Sequence, residues 1–294
     1  MFAPTRLDEA YAALARSHCL PLAGGTDVYP SLVGLTRPHQ PLLDLSRLEP
    51  LRGISKLPSG QIRIGALTAW RTLRDYHWGP GLQLIAEAAA EVGGLQIQNQ
   101  GTLGGNLCNA SPAADGVPAL LALGAELELG SSRGTRRLSL EAFLLGNRRT
   151  ARAADELLLA VLINPPSARA VSRFLKLGHR RYLVISIAMV GVMLDFDQAD
   201  RLASAGIAVG ACSAVARRLS ELEQALIGCA RVDLLNAMQQ CMRDRPAVLA
   251  PLSPIDDVRG TAQYRRDAVA VLVSRAIAQA AVAKGARTAE DFKP

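Results

Sequence analysis

Leu95-Gln96-Ile97-Gln98-Asn99-Gln100-Gly101-Thr102-Leu103-Gly104-Gly105-Asn106-Leu107-Cys108-Asn109-Ala110-Ser111-Pro112-Ala113-Ala114-Asp115 is the stretch around which the chain is organised. Gly101, Gly104 and Gly105 fall among Asn99, Asn106 and Asn109, with a hydroxyl at Thr102. Glycine admits positive φ and close approach of a ligand to the backbone. Successive exposed N–H groups in such a turn form a concave anion site. A second turn of this kind lies far upstream. It is Ala23-Gly24-Gly25-Thr26-Asp27-Val28, directly after the apolar Cys19-Leu20-Pro21-Leu22. Two such turns would hold a pyrophosphate between them. The plain alternative for each is a tight turn, lying between buried strands in the case of 101–106.

Outward from this stretch, Leu7, Ala10, Tyr11 and Leu14 fall at helical spacing and predict a helix over 7–16. Residues 19–22 read as a short buried strand and 41–45 as another apolar run. Residues 54–64 read as a hairpin turning at Pro58-Ser59-Gly60. A short helix over 69–76 follows, with Thr68 as N-cap. An alanine-rich helix over 82–92 then ends at Gly93-Gly94. After the glycine stretch come a helix at 119–123, a strand at 125–129, a basic segment at 133–137 and a short helix at 140–145. A strongly apolar strand at 156–163 closes at Asn164-Pro165-Pro166, the expected domain boundary. Beyond it, strands at 172–177 and 203–212 and an apolar segment at 183–196 predict an antiparallel sheet. Helices follow at 219–227, 232–242 and 264–282.

The chain has 294 residues, enough for a large core and two or three subdomains. Apolar residues reach 49% but aromatics only 4%, so few rings are on hand for stacking bases. The net charge is +7, yet the arginines are scattered among acids and form no run of nucleic-acid length. No nucleic-acid partner is expected. A basic surface would steer an anionic nucleotide or an acidic partner, or serve solubility alone. Cys19, Cys108, Cys212, Cys229 and Cys241 form no C-x-x-C pair, which argues against a zinc or iron–sulfur site in this chain. An odd count without a framework predicts reduced thiols. The start of the chain does not read as a signal peptide, and the longest apolar run, 183–194, is too short to cross a bilayer. The expectation is a soluble cytoplasmic chain with no membrane partner, unless a partner's export signal carries it along.

Asp115 would accept hydrogen bonds from a ligand polyol or cap the helix near Pro118. Lys176 sits in an apolar strand pattern and would point to solvent or reach a ring or phosphate. His179-Arg180-Arg181 reads as a solvated turn, and His18, His39 and His77 have no companions at metal spacing. The chain lacks the G-x-G-x-x-G and Walker patterns, a G-x-S-x-G elbow, H-E-x-x-H and paired carboxylates. A bound cofactor that carries the reaction is the better reading.

Ala23-Gly24-Gly25-Thr26-Asp27, Ile64-Gly65-Ala66-Leu67-Thr68, Gly101-Thr102-Leu103-Gly104-Gly105-Asn106 and Ala110-Ser111-Pro112-Ala113-Ala114-Asp115 resemble, in order, the flavin subunit of the molybdenum hydroxylases. These are the relatives of xanthine dehydrogenase and carbon monoxide dehydrogenase. The likeness continues through Phe174-Leu175-Lys176-Leu177-Gly178-His179-Arg180-Arg181. It ends at Ser253-Pro254-Ile255-Asp256-Asp257-Val258-Arg259-Gly260 with Tyr264-Arg265-Arg266. The combination is specific where no single piece is.

The resemblance implies an α+β fold. A two-subdomain FAD-binding module of the vanillyl-alcohol-oxidase (PCMH) type would span 1–168, with subdomains of about 1–55 and 56–168. A C-terminal antiparallel sheet with helices would span 169–294. FAD would lie between the subdomains, its pyrophosphate on the two glycine turns. The implied contacts are Leu22, Ala23, Gly24, Gly25, Thr26, Asp27 and Val28, then Gly101, Thr102, Leu103, Gly104, Gly105 and Asn106. By position in the motifs, Asp115, Leu158 and Lys176 carry over as further FAD contacts. No catalytic side chain and no metal ligand is implied in this chain. One departure stands out: the family commonly has Ile-Arg-Asn where this chain has Ile97-Gln98-Asn99, and glutamine supplies no charge.

The implied function is electron transfer. A large partner subunit would hold the molybdenum cofactor and oxidise the substrate, and a small partner would carry 2Fe-2S clusters. Electrons would pass to FAD on this chain and on to an external acceptor, in a dimer of heterotrimers. Substrate and acceptor are not written in this subunit. Two rivals remain: a self-sufficient flavin oxidase or dehydrogenase with the same N-terminal fold, and a non-catalytic nucleotide-binding scaffold. A visible absorption spectrum separates the second rival from the rest, and co-purification with two other chains separates the first.

Overall fold

In the computed structural model, which describes residues 2–34 and 40–282, the helix expected over 7–16 forms as α1 (Leu7–Arg16). His39 lies outside the described residues. The next elements are β1 (Leu20–Leu22), α2 (Val28–Ser31) and β2 (Leu42–Asp44). β1 and β2 pair in parallel, and Leu43, Leu48 and Leu51 bury themselves with Ala10 and Leu14 of α1. The hairpin forms as β3 (Ile54–Lys56) and β4 (Ile62–Gly65). Thr68 does not cap the following α3 (Trp70–Asp75). Ala69 holds the cap position, and Thr68 Oγ1 donates to Gly53 O at 3.1 Å. α4 (Gln83–Glu91) ends at the expected glycines, with Gly93 at φ 55°.

The organising stretch is not a turn between strands. It folds as two short helices, α5 (Leu95–Gln100) and α6 (Leu103–Asn109), broken at Gly101. Thr102 caps α6, its Oγ1 accepting from Gly105 N at 3.1 Å. α7 (Gly116–Ala122) follows with every residue buried. β5 (Glu126–Ser131) and β6 (Gly134–Ser139) form a hairpin; then come α8 (Leu140–Phe143), β7 (Leu144–Gly146), β8 (Arg149–Thr150) and β9 (Leu157–Ile163). β9 runs antiparallel between β4 and β5 in a sheet of order β3-β4-β9-β5-β6. Its residues are all buried, which is why its sequence is an unbroken apolar run. The basic segment is the β5–β6 turn and the outer strand β6: Arg133 of the turn pairs with Asp155, and Arg136 of the strand with Glu156. Charge on an outer strand discourages pairing with another chain.

The second sheet is antiparallel: β10 (Val171–Leu177), β11 (Ala188–Phe196), β12 (Leu202–Gly210) and β13 (Arg217–Arg218), in that order. α9 (Ser220–Leu226), α10 (Leu234–Asp244) and α11 (Ala262–Val282) complete the fold. Successive strand residues face opposite ways. Val190, Val192, Leu194, Ile207 and Val209 therefore share a core with Leu222, Met238 and Val273 of α9, α10 and α11. Met189 and Ala208 share the other core with Leu84 of α4 and Leu120 of α7. Glycines on that second face admit α7 at backbone distance. A Cβ on Gly206 would lie 1.8 Å from Ala122 O, and one on Gly191 2.8 Å from Pro118 O. The 183–196 segment is strand only from Ala188 onward.

The motif at 253–266 is a clamp. Arg265, 1% exposed, donates from Nη1 to Ile187 O and Ala211 O, both at 2.8 Å, and from Nη2 to Asp257 Oδ1 at 2.6 Å. Arg259 donates to Asp257 from its side chain (2.6 Å) and its backbone N–H (2.8 Å). Burial alone would raise the Asp257 carboxyl, but the bonds from Arg259 and Arg265 outweigh it and hold the group at about 2. A depressed folded-state value stabilises above the ordinary carboxylate range and is lost as pH falls through the folded value. The stability gap between the wild type and Asp257→Asn is therefore expected to close between about pH 4 and about pH 2. Urea midpoints measured across that range check it, and a constant gap would contradict it.

Candidate functional site

A cleft of about 380 Å³ opens between the turn after β1, the α5–α6 stretch and the β7–β8 hairpin. Ala23, Gly24, Gly25, Thr26, Asp27 and Val28 line it, as do Gly101, Thr102, Gly104, Gly105, Asn106 and Leu158. Two residues expected here, Leu22 and Leu103, are buried in the core, at 3% and 1% exposure. Asp115 and Lys176 do not line the cleft.

The two glycine turns contribute different things. In the first, Gly25 has φ 73°, and the N–H groups of Gly24, Gly25, Thr26 and Asp27 donate to nothing else among the described residues. Consecutive free N–H groups in a cleft wall form an anion nest. The second turn is not a nest. The N–H groups of Leu103, Gly104 and Asn106 go to Thr68 O, Ala66 O and Thr102 O, and that of Gly105 to Thr102 Oγ1. Its glycines are needed for closeness, not for positive φ. A Cβ on Gly104 would lie 2.8 Å from Ala66 O, and one on Gly24 would lie 1.8 Å from Gln100 O. The first turn thus rests backbone on backbone against the second.

A dinucleotide fits what these residues offer. The nest suits a pyrophosphate. Asn106 Oδ1 is buried without a partner, and a buried acceptor of this kind calls for a donor. Trp70, Val92 and Ile97 add an apolar wall that suits a flat ring. Sequence reasoning missed Trp70, and it missed Arg148, Thr150 and Arg152 on and after the β7–β8 hairpin. The one local signal for the hairpin was Gly146-Asn147; the chain turns at Asn147 and Arg148, between the paired Gly146 and Arg149.

The family model for the FAD binding domain in molybdopterin dehydrogenase matches residues 1–166, and that for the CO dehydrogenase flavoprotein C-terminal domain matches 173–280. The chain belongs to the FAD-binding subunits of the molybdenum hydroxylases. It is similar to the nicotinate dehydrogenase FAD-subunit of Eubacterium barkeri, at 33% identity over 77% of this chain and 79% of that one. It is similar to the caffeine dehydrogenase subunit beta of Pseudomonas sp. (strain CBB1), at 31% identity over 95% and 93%. Among solved structures, reconstituted CO dehydrogenase from Oligotropha carboxidovorans superposes with a TM-score of 0.85 at 27% identity, covering 95% of this chain and 96% of that one. The α+β fold with its C-terminal antiparallel sheet agrees with the sequence expectation.

In this FAD-binding subunit Asp115 and Lys176 meet as a buried pair. Lys176 Nζ donates to Asp115 Oδ2 at 2.8 Å and to Glu91 O at 3.0 Å, and Ser186 Oγ donates to Asp115 Oδ1 at 2.7 Å. Asp115 makes no capping bond to α7, and Lys176 does not point to solvent. Burial pushes the Asp115 carboxyl above its ordinary value, against the pull of Lys176 and Ser186. The charge that Gln98 lacks arrives from a neighbour. Arg74 Nη1 donates to Gln98 Oε1 at 2.6 Å, while Gln98 Nε2 donates to Ala90 O at 3.0 Å. Cys108 lines the cleft, but burial pushes its thiol up to about 11, so it stays protonated. All five cysteines are free. No helix among the described residues is long and apolar enough to cross a membrane.

Proposed function

We propose that this chain is the electron-transfer subunit of a heteromeric molybdenum-containing hydroxylase. It would pass electrons from 2Fe-2S clusters on a small partner subunit to an external acceptor, while a large partner holds the molybdenum cofactor. The observation that carries this reading is the nest of free N–H groups in the cleft of a chain that the family models match over both halves. The relatives' names support it: they are a FAD-subunit, a subunit beta and a medium chain. The nest at Gly24–Asp27 would bind the pyrophosphate and Asn106 would accept a hydrogen bond from the cofactor. Trp70, Val92 and Ile97 would exclude water from one end of the cleft. FAD, when bound, supplies one- and two-electron redox chemistry. Leu158 would form part of the wall against which it is held. A dimer of heterotrimers in the cytoplasm completes the proposed assembly.

Anaerobic stopped-flow absorbance at the flavin band tests it. The purified chain alone is expected to hold FAD and hydroxylate nothing. Mixed with cluster-bearing and molybdenum-bearing partners, its flavin is expected to bleach when their substrate is added. Substrate oxidation by the chain alone at the rate of the assembled complex would replace this reading with a self-sufficient flavin enzyme.

A further inference from the structure

The β7–β8 hairpin and the residues just after it bring Arg148 and Arg152 to a cleft whose other lining donors are uncharged. The hairpin's tip is tied down from both sides. Arg148 N donates to Ala110 O at 2.9 Å, at the left-handed residue that ends α6. Arg148 Nη1 donates to Asn109 Oδ1 at 2.8 Å, and Asn109 Nδ2 donates to Asp27 Oδ1 at 3.0 Å. A strap of three side chains therefore runs from the hairpin across the end of α6 to the first glycine turn. Arg148 itself stands at φ 54°, a conformation uncommon for a residue other than glycine. Strain of that kind is held in place by its surroundings and gathers at binding sites.

The strap leaves binding capacity unused. Among the described residues, Arg148 makes one side-chain hydrogen bond, to an amide and not to a carboxylate. Arg152 lines the cleft too, and it donates only to the backbone carbonyls of Ala153 (3.1 Å) and Glu156 (2.6 Å). Two cations thus face the cleft with no carboxylate bonded to them. A guanidinium with free N–H groups is suited to bind a phosphate in a two-pronged way or to stack on a planar ring. The apolar residues Val92 and Ile97 belong to the α4–α5 region, whereas the hairpin lies against the end of α6. The cleft is therefore apolar at one end and cationic at the other, with the nest of the first turn between them.

We propose that Arg148, aimed by Asn109 and Asp27, grips the adenosine-phosphate half of the bound dinucleotide, leaving the flavin ring to the apolar end. The inference rests on the FAD reading and extends it to residues that no motif marks. Arg148 and Arg152 make this end a general receptor for adenine nucleotides, so ADP alone binds there.

The test uses the full chain stripped of flavin, with FAD and ADP titrated separately. Arg148→Gln is expected to weaken both ligands about tenfold or more, the scale of one lost charge-assisted hydrogen bond. Arg148→Lys, which keeps the charge but not the fork, is expected to fall between. The melting temperature of the flavin-free protein should not change. FAD and ADP binding left unchanged in Arg148→Gln would overturn the inference while leaving the cofactor reading intact. So would an equal fall in the melting temperature, which would mark a folding role. ADP that binds wild type and variant alike would place Arg148 away from the adenosine half and overturn it as well. A wild-type chain that takes up no FAD would instead remove the cofactor reading itself.

Discussion

Asp115→Ala is expected to cost about 3–5 kcal/mol of folding stability, the scale for stranding one partner of a buried ion pair. Lys176, whose side chain is 5% exposed, would keep its ammonium bonded only to Glu91 O, with no carboxylate hydrogen-bonded to it. The cost comes from the charge left behind more than from the bond removed. Replacing both partners with apolar residues, Asp115→Leu with Lys176→Met, is therefore expected to recover most of the loss. Urea unfolding of the single and double variants, followed by tryptophan fluorescence, measures both quantities. A single-variant loss below about 1 kcal/mol would show that water reaches Lys176 freely and that the pair is effectively a surface one.

Gly24→Ala should cost the fold less, but act directly on the cleft. The added Cβ would meet Gln100 O at 1.8 Å, and a backbone atom cannot swing aside as a flexible side chain can. The first turn must lift from the second, opening the cleft and scattering the free N–H groups of the nest. Overpacking of this kind typically costs about 1–3 kcal/mol, and FAD retention on purification should be lost. Gly206→Ala is the matched control. It meets Ala122 O at the same 1.8 Å but is not among the residues that line the cleft. The control should lower stability while the protein that folds still holds FAD. Equal FAD content in the two variants would show that the docking of the turns does not shape the site.

Most of the fold was legible because apolar periodicity is a direct record of burial. β9 reads as a solid apolar run since it lies inside its sheet, and α4 ends where Gly93 takes positive φ. The α5–α6 stretch was misread for a physical reason. Gly104 and Gly105 disfavour a helix, and α6 forms anyway because Thr102 caps it and Ala66 O and Thr68 O bind its first N–H groups. Those acceptors lie far away in sequence. The same distance hid the Asp115–Lys176 pair, whose members are 61 positions apart. Taken alone, Asp115 read as a ligand contact or a cap and Lys176 as a solvent-facing residue or a ligand contact, and only the packing of α7 against the second sheet brings them together. The β7–β8 hairpin was missed because its strands are three and two residues long, too short for any period to show.

The glycine-lined face of the second sheet bears on how such a chain changes over generations. Helix α7 comes from the first half of the sequence, yet its carbonyls lie against Gly191 and Gly206 of the second half. A crossover at Pro165-Pro166 would join two halves that had never been fitted to one another. The newcomer sheet would need small residues wherever the resident helix runs close. Any side chain introduced at Gly206 would need an answering shift at Ala122. Pro165-Pro166 falls at the end of the first matched stretch, but the close approach of Ala122 to Gly206 and of Pro118 to Gly191 spans it, so the two halves are expected to vary as a matched pair.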